Sequence, residues 1–230
     1  MLQKGIIEVC TVYEQAPALA AEGVHIMRTD EMTGIQALER PHVKPMRPGD
    51  VERVEFEYMR HGTQCLLANF DVVFGKVVAP TVSDTRTEAD FVTHLQQTVA
   101  LAPQDAWIFV LDQLNTHKSE SLVRWVAEAG GIPEELGVKG KTGILKSMQS
   151  RAVFLSDPTH RIRMVYTPKH TSWLNQIEIW FSMLVRRLLK RGNFLSQQHL
   201  KERILAFIAY FNTTFAKPFQ WTYKGKALTI

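Results

Sequence analysis

The stretch Tyr166–Arg191, YTPKHTSWLNQIEIWFSMLVRRLLKR, decides how the rest of the chain is read. Pro168 stops the preceding element and the Thr171/Ser172 pair offers an N-cap, so the pattern predicts a helix beginning near Trp173. At about 100° per residue, Trp173, Leu174, Ile177, Trp180, Phe181, Leu184, Val185, Leu188 and Leu189 fall on one broad apolar arc. Glu178 falls inside the arc and is its only charged side chain. A lone buried carboxylate costs on the order of several kcal/mol unless a cation or hydrogen bonds meet it. Glu178 is therefore expected either to pair with a basic residue or to bind a metal. Arg186, Arg187, Lys190 and Arg191 close the stretch, where cations complement a helix dipole.

Upstream of this helix, Arg161–Tyr166 reads as a strand, and the continuous apolar run Trp107–Leu111 reads as a central strand covered on both faces, ending on Asp112. Val24–Thr29 is a short β-type run ending in Asp30-Glu31. A Pro-rich basic loop, PHVKPMRPGD, follows it, and Val51–Tyr58 then alternates polar and apolar residues. Gln64–Phe70 and Gly75–Val82 are predicted strands joined by a turn. Helices are predicted over residues 1–22 with a break near Pro17, over Thr87–Leu101, from Ser119 or Glu120 to Ala129 with Gly130-Gly131 as its stop, and over Ser196–Phe211. Residues 131–157 are less regular and basic, and read as an insertion with one short helix. The order of three strands, helix, strand, helix, strand, helix predicts an α/β fold. Its mixed central sheet has flanking helices, an antiparallel meander first, and the insertion between the fourth and fifth strands.

The 230 residues are enough for one large domain, and 45% hydrophobic with 22% charged residues is an ordinary globular balance. No apolar run approaches a membrane span, and Cys10 and Cys65 lack metal-ligand spacing, so reduced thiols in a cytoplasmic protein are expected. A net charge of +4 and a pI near 9.1 hint weakly at a polyanionic partner.

Three carboxylates hold informative positions: Asp30 and Asp112 at strand ends, Glu178 on the helix arc. Brought together, they would repel one another and call for divalent cations, and an all-oxygen donor set favours Mg²⁺ or Mn²⁺ over zinc. TDEMTGIQALER around Asp30, VLDQLNTHKSES around Asp112 and YTPKHTSWLNQIEIWF around Glu178 together resemble the catalytic core of an IS630-type transposase. That group is related to Tc1/mariner within the DDE superfamily, and its core has a ribonuclease H-like fold. The resemblance covers nearly the whole chain through KPFQWTYKGKAL. It implies that Asp30, Asp112 and Glu178 are the catalytic, metal-binding triad, with two Mg²⁺ or Mn²⁺ ions. It further implies cleavage at transposon ends and joining to target DNA, commonly at TA. This chain departs from the pattern at Gln113, where the family often has Asn, and at Gln176, where Pro is common. The second and third acids stand 66 positions apart (178 − 112), and the insertion accounts for the excess.

The resemblance divides the chain into a remnant helix or linker at 1–22, a catalytic domain at 23–215 and a tail at 216–230. The expected partners are DNA, a second copy of the chain on DNA, and a separate helix-turn-helix chain supplying end recognition; no membrane is expected, and the location is nucleoid-associated. His117 reads either as a phosphate or water-positioning contact or as a helix cap, and Glu31 as solvated or paired on the opposite strand face. Asn175 is expected to support the ligands. Lys139, Lys141, Lys146, Lys169 and His170 are candidate phosphate contacts, and Phe219, Trp221, Trp173, Trp180 and Phe181 are expected to pack in the core. Two other readings stay open: a catalytically silent truncated copy that modulates full-length enzyme by binding DNA or oligomerising, and a structure-selective nuclease of the same fold.

Overall fold

The apolar run around Phe109 becomes β4 (Ala106–Leu111), flanked on both sides by other strands. In the computed structural model, which describes residues 2–40, 49, 57–133, 135–169, 171, 174–218 and 221, the sheet order is β3-β2-β1-β4-β5. β1 (Val24–Glu39), β2 (Met59–Asp71) and β3 (Lys76–Ser83) form the antiparallel meander. β4 and β5 (Ile162–Tyr166) run parallel to β1. This is the expected mixed α/β sheet with the ribonuclease H-like order. The alternation at Val51–Tyr58 lies outside the described residues up to Phe56, and Glu57 and Tyr58 belong to no strand.

Side-chain alternation along the strands divides the core between two faces. Met27, Leu67, Phe109, Leu111 and Met164 point to one face, beneath α2 (Glu88–Val99), α3 (Glu120–Gly130) and α4 (Met148–Leu155). On the other face, Ile26, Ile108, Val110 and Val165 pack beneath α1 (Leu2–Ala21). Leu66, Ala68, Phe70 and Val77 pack there beneath α5 (Gln176–Leu184) and α6 (Gln197–Thr214). Each large apolar side chain buried this way contributes roughly 1.5–3 kcal/mol.

Side-chain caps fix the helix starts. Thr87 and Asp90 make a reciprocal capping box on α2, Ser119 caps α3, Ser147 and Ser150 box α4, and Ser196 caps α6. Gly131, at φ 59°, ends α3 in the left-handed conformation that favours glycine. α1 runs through Pro17 instead of breaking there, because Ile6, Val9, Tyr13 and Ala16 hold its inner face against the sheet. Tyr13 donates its hydroxyl to the Leu174 carbonyl at 3.3 Å and meets Trp221 edge-on at 5.0 Å between ring centroids. Trp221 thus packs on the core as expected; Phe219 and Trp173 lie outside the described residues.

The 131–157 segment packs Leu145, Phe154 and Leu155 into the first core face. Its Arg151 is buried and donates to the Lys118 carbonyl at 2.7 Å, a structural task.

The organising helix differs most from expectation. α5 begins at Gln176, not near Trp173, with Asn175 in the cap position, and Val185–Leu189 forms a π turn closed by Lys190 N–H on the Val185 carbonyl at 2.8 Å. Starting later and widening after Leu184 rotates the apolar stripe: Ile177, Trp180, Phe181, Leu184 and Leu188 are buried, while Glu178 and Ile179 are exposed. The arc that placed Glu178 among buried residues is corrected by this phase. Its carboxylate sits at the edge of the helix, over a cleft, and the burial penalty that framed the choice between ion pair and metal does not apply. Among the described residues, no helix is long and apolar enough to cross a membrane.

Candidate active site

Parallel pairing of β1 with β4 brings the first two acids together. The register runs from Val24 opposite Ala106 to Arg28 opposite Val110. Two residues further on, Asp30 and Asp112 occupy matching positions on the face shared by α1 and α5. Asp112 follows the last residue of β4, whereas Asp30 lies inside β1, which continues to Glu39 instead of ending at Asp30 as the short β-type run predicted, because β2 goes on pairing with it. Neighbouring Glu31 points to the opposite face, as strand alternation requires.

Asn175 joins the third acid to the first. Its Nδ2 donates to Asp30 Oδ2 at 2.5 Å and to Glu178 Oε1 at 3.0 Å, and its Oδ1 accepts from Arg28 Nε at 2.8 Å. The side chain expected to support the ligands sits in the cap position of α5 but makes no cap bond there. It links Asp30, Glu178 and Arg28. Arg28 is fully buried, and its Nη1 finds no partner among the described residues. Sequence reading passed over it, although a cation inside VHIMRTD, a run otherwise suited to burial, carried the signal that a partner was required.

Asp112 is held differently. The Leu114 N–H donates to its Oδ1 at 2.9 Å, and His117 Nδ1 lies 2.8 Å from the same oxygen, close but poorly aligned for a hydrogen bond. His117 Nε2 faces Glu31 Oε1 at 3.2 Å, and the ring stacks obliquely on Phe91. With its side chain completely buried, His117 stands behind Asp112 and does not line the cleft; it also caps no helix, since Ser119 caps α3. Its ring lies between two carboxylates, which favour its protonated form. Glu31 is the paired residue expected of its face.

Charge follows geometry. Burial pushes the Asp30 carboxyl up, and although Arg28, Asn175 and the Glu31 N–H pull the other way, it stays above the usual range. Burial acts upward on Asp112 as well, but His117 and the Leu114 N–H outweigh it and hold that carboxyl below the usual range. For His117, burial alone would lower the pKa; Asp112 and Glu31 overcome it and raise it to about 9.

The three acids line one cleft of about 760 Å³, together with Arg28, Asn175 and Lys169. Its wall is braced by Thr167, whose N–H and hydroxyl both donate to the Leu111 carbonyl, at 2.8 and 3.1 Å. Gln113 Nε2 donates to the Thr167 carbonyl at 2.8 Å, and Lys118 Nζ donates to Gln113 Oε1. Lys139, Lys141 and Lys146 do not line this cleft; Lys139 stands 3.7 Å from Glu120. His170 lies outside the described residues.

Among the described residues, no three His, Cys, Asp or Glu side chains stand close enough to enclose a metal ion as they are arranged. The donor chemistry nevertheless suits a hard divalent cation: oxygen ligands only, two of them already drawn to one amide, and a third held in its ionised form.

None of the curated proteins matches the chain. Solved structures that resemble it include the Mos1 strand transfer complex, at 12% identity over 91% of this chain and 55% of that one, with a TM-score of 0.46. The Mos1 mariner paired end complex with Mn gives 11% identity, 91% and 56% coverage and a TM-score of 0.49. The catalytic domain of Mos1 mariner transposase gives 11%, 90% and 81%, and 0.47. This chain thus spans just over half the length of the first two (55% and 56%). Likeness at this level assigns no residue, and it is the sequence that decides the family. The DDE superfamily endonuclease family matches residues 25–201, a span that begins within β1 and contains both carboxylate circuits. Acids brought side by side on adjacent strands by parallel pairing, and a match of that extent around them, lead to one assignment: the chain belongs to the DDE superfamily endonucleases.

Proposed function

We propose that this chain is the catalytic domain of a transposase that cleaves DNA at transposon ends and joins the freed end to target DNA, with Asp30, Asp112 and Glu178 as its catalytic and metal-binding residues. The observation that carries the reading is the Asn175 amide, which binds Asp30 and Glu178 with one nitrogen and draws together acids far apart in sequence. Two Mg²⁺ or Mn²⁺ ions held by the triad would supply activation of the attacking oxygen and stabilisation of the leaving oxygen in an in-line phosphodiester displacement.

The chain's own residues do the rest. Asn175 orients Asp30 and Glu178, and Arg28 balances their charge while the site is open. His117 fixes Asp112 as a carboxylate, so a cation meets a ligand already ionised. Lys169, exposed on the cleft wall, is placed to contact a phosphate beside the scissile bond. A dimer on DNA, a TA target, a separate helix-turn-helix chain and a nucleoid-associated location complete the proposal, each resting on the resemblance in the sequence motifs.

The test pairs calorimetric Mn²⁺ titration with cleavage and strand joining of a labelled transposon-end duplex, for wild type and Asp112→Asn. The expected result is Mn²⁺ binding and both activities in wild type, and loss of all three in the variant. Near-normal cleavage by Asp112→Asn would overturn the triad. Hydrolysis without joining would identify a nuclease, and DNA binding without Mn²⁺ binding a silent modulator.

A further inference from the structure

We infer that the surface formed by the π turn and α6 binds the phosphate backbone of duplex DNA, and that a groove along α5 connects it to the carboxylate cleft. The inference rests on the transposase reading and adds to it the path taken by the DNA.

In the sequence, the cations after Leu184 are accounted for by the helix dipole. The fold makes that account insufficient. Arg186, Arg187, Lys190 and Arg191 converge with Arg203 from the middle of α6 around a cleft of about 740 Å³, with Tyr210 beside them. No carboxylate is among the described residues that line it. A dipole is served by cations in the last helical turn and draws nothing from a second helix. Arg187 has a local task, with its guanidinium 4.5 Å over the Phe215 ring, and Arg186 spends one donor on the Ser182 carbonyl at 3.1 Å. Arg186, Lys190 and Arg203 are all exposed. A concave surface of one sign is a focus for a polyanion.

The connection to the active site is physical. A groove of about 590 Å³ shares Met32, Glu178 and Phe181 with the carboxylate cleft and Arg186 with the basic cleft. The three depressions therefore follow one side of α5 and the π turn. At about 1.5 Å a residue, Glu178 to Lys190 spans roughly 18 Å. That length matches about five base pairs at the duplex rise of about 3.4 Å. The acidic end repels phosphate until cations bind; the basic end attracts it at all times. Such a surface holds the duplex without reading its sequence.

The test uses the full chain and fluorescence anisotropy with a labelled duplex of arbitrary sequence, across a salt series and without divalent ions. The triple variant Arg186→Gln/Lys190→Gln/Arg203→Gln is compared with Lys139→Gln/Lys141→Gln/Lys146→Gln, which removes equal charge from the β4–β5 connection. Thermal melts confirm that both fold. The expected result is at least about a ten-fold loss of affinity for the first variant. The slope of log K against log salt should fall by about 2–3, at roughly 0.9 for each phosphate no longer neutralised. The second variant should stay within about two-fold of wild type. Equal losses in the two variants, or an unchanged slope in the first, would overturn the inference and leave the transposase reading standing. Failure of wild type to bind DNA even at low salt would remove both.

Discussion

Replacing His117 with Phe tests the buried charge arrangement behind Asp112. The substitution keeps an aromatic ring against Phe91, at a centroid distance now 4.4 Å, and removes the cation between Asp112 and Glu31. Glu31 is itself only 6% exposed, so its carboxylate would be left buried without its partner, while Asp112, 47% exposed, keeps access to water. An imidazole whose midpoint moves from 6.5 to about 9 gains roughly 3 kcal/mol of differential stabilisation from its surroundings. The folded value lies above the unfolded one, so this contribution is complete below about pH 6.5 and is lost as pH rises through 9. Urea unfolding in chelator should find His117→Phe less stable by about 3 kcal/mol near pH 6, with the two proteins converging by about pH 10. Parallel stability curves across that window would refute the buried imidazolium, whatever the size of the offset.

The other predictions concern the opposite circuit and the core. Asn175→Ala removes acceptor and donor from Arg28, Asp30 and Glu178 at once, so about 2–4 kcal/mol of stability should be lost in a urea melt, with weaker Mn²⁺ binding by calorimetry. A loss below about 1 kcal/mol would show that the amide is dispensable. Because Glu178 is exposed, Glu178→Gln should change stability by no more than about 0.5 kcal/mol while Mn²⁺ binding weakens. A loss of several times that size would return Glu178 to the role of a structural ion-pair partner. Trp180→Ala empties the centre of the α5–α6 core beside Phe181 and Phe211 and should cost roughly 3–5 kcal/mol by chemical denaturation.

Much of this was legible because its cause is local. WIFVL can only be buried on both faces, and Leu200, Ile204, Ile208 and Phe211 repeat at helical spacing, so β4 and α6 appear where the patterns put them. Asp112 was visible as the residue closing an apolar strand; Asp30 was read as a strand end, but β1 runs on through it to Glu39, held by β2. Glu178 was found for the wrong physical reason. A constant pitch from Trp173 to Arg191 made it look buried, and neither the late start of α5 nor the π turn has a signature in apolar periodicity. Arg28 and the Glu31–His117–Asp112 chain were harder still. Their partners come from β1, the turn after β4 and the residue before α5, and only the sheet register makes those neighbours. The basic cleft escaped for the same reason, since Arg203 belongs to another helix.

β1 is bound to β4 only along its first five residues, Val24 to Arg28, and its irregularities against β2 fall later, between Met32 and Ile35 and between Gln36 and Leu38. Asp30 and Glu31 sit between the ruled half and the irregular half. Strand phase alone decides which carboxylate enters the cleft and which turns to His117, so a slip of one residue would exchange them. The bulges downstream act as expansion joints: a residue gained or lost near Gly34 is absorbed there, and the timing of the strand at Asp30 continues to be set by β4.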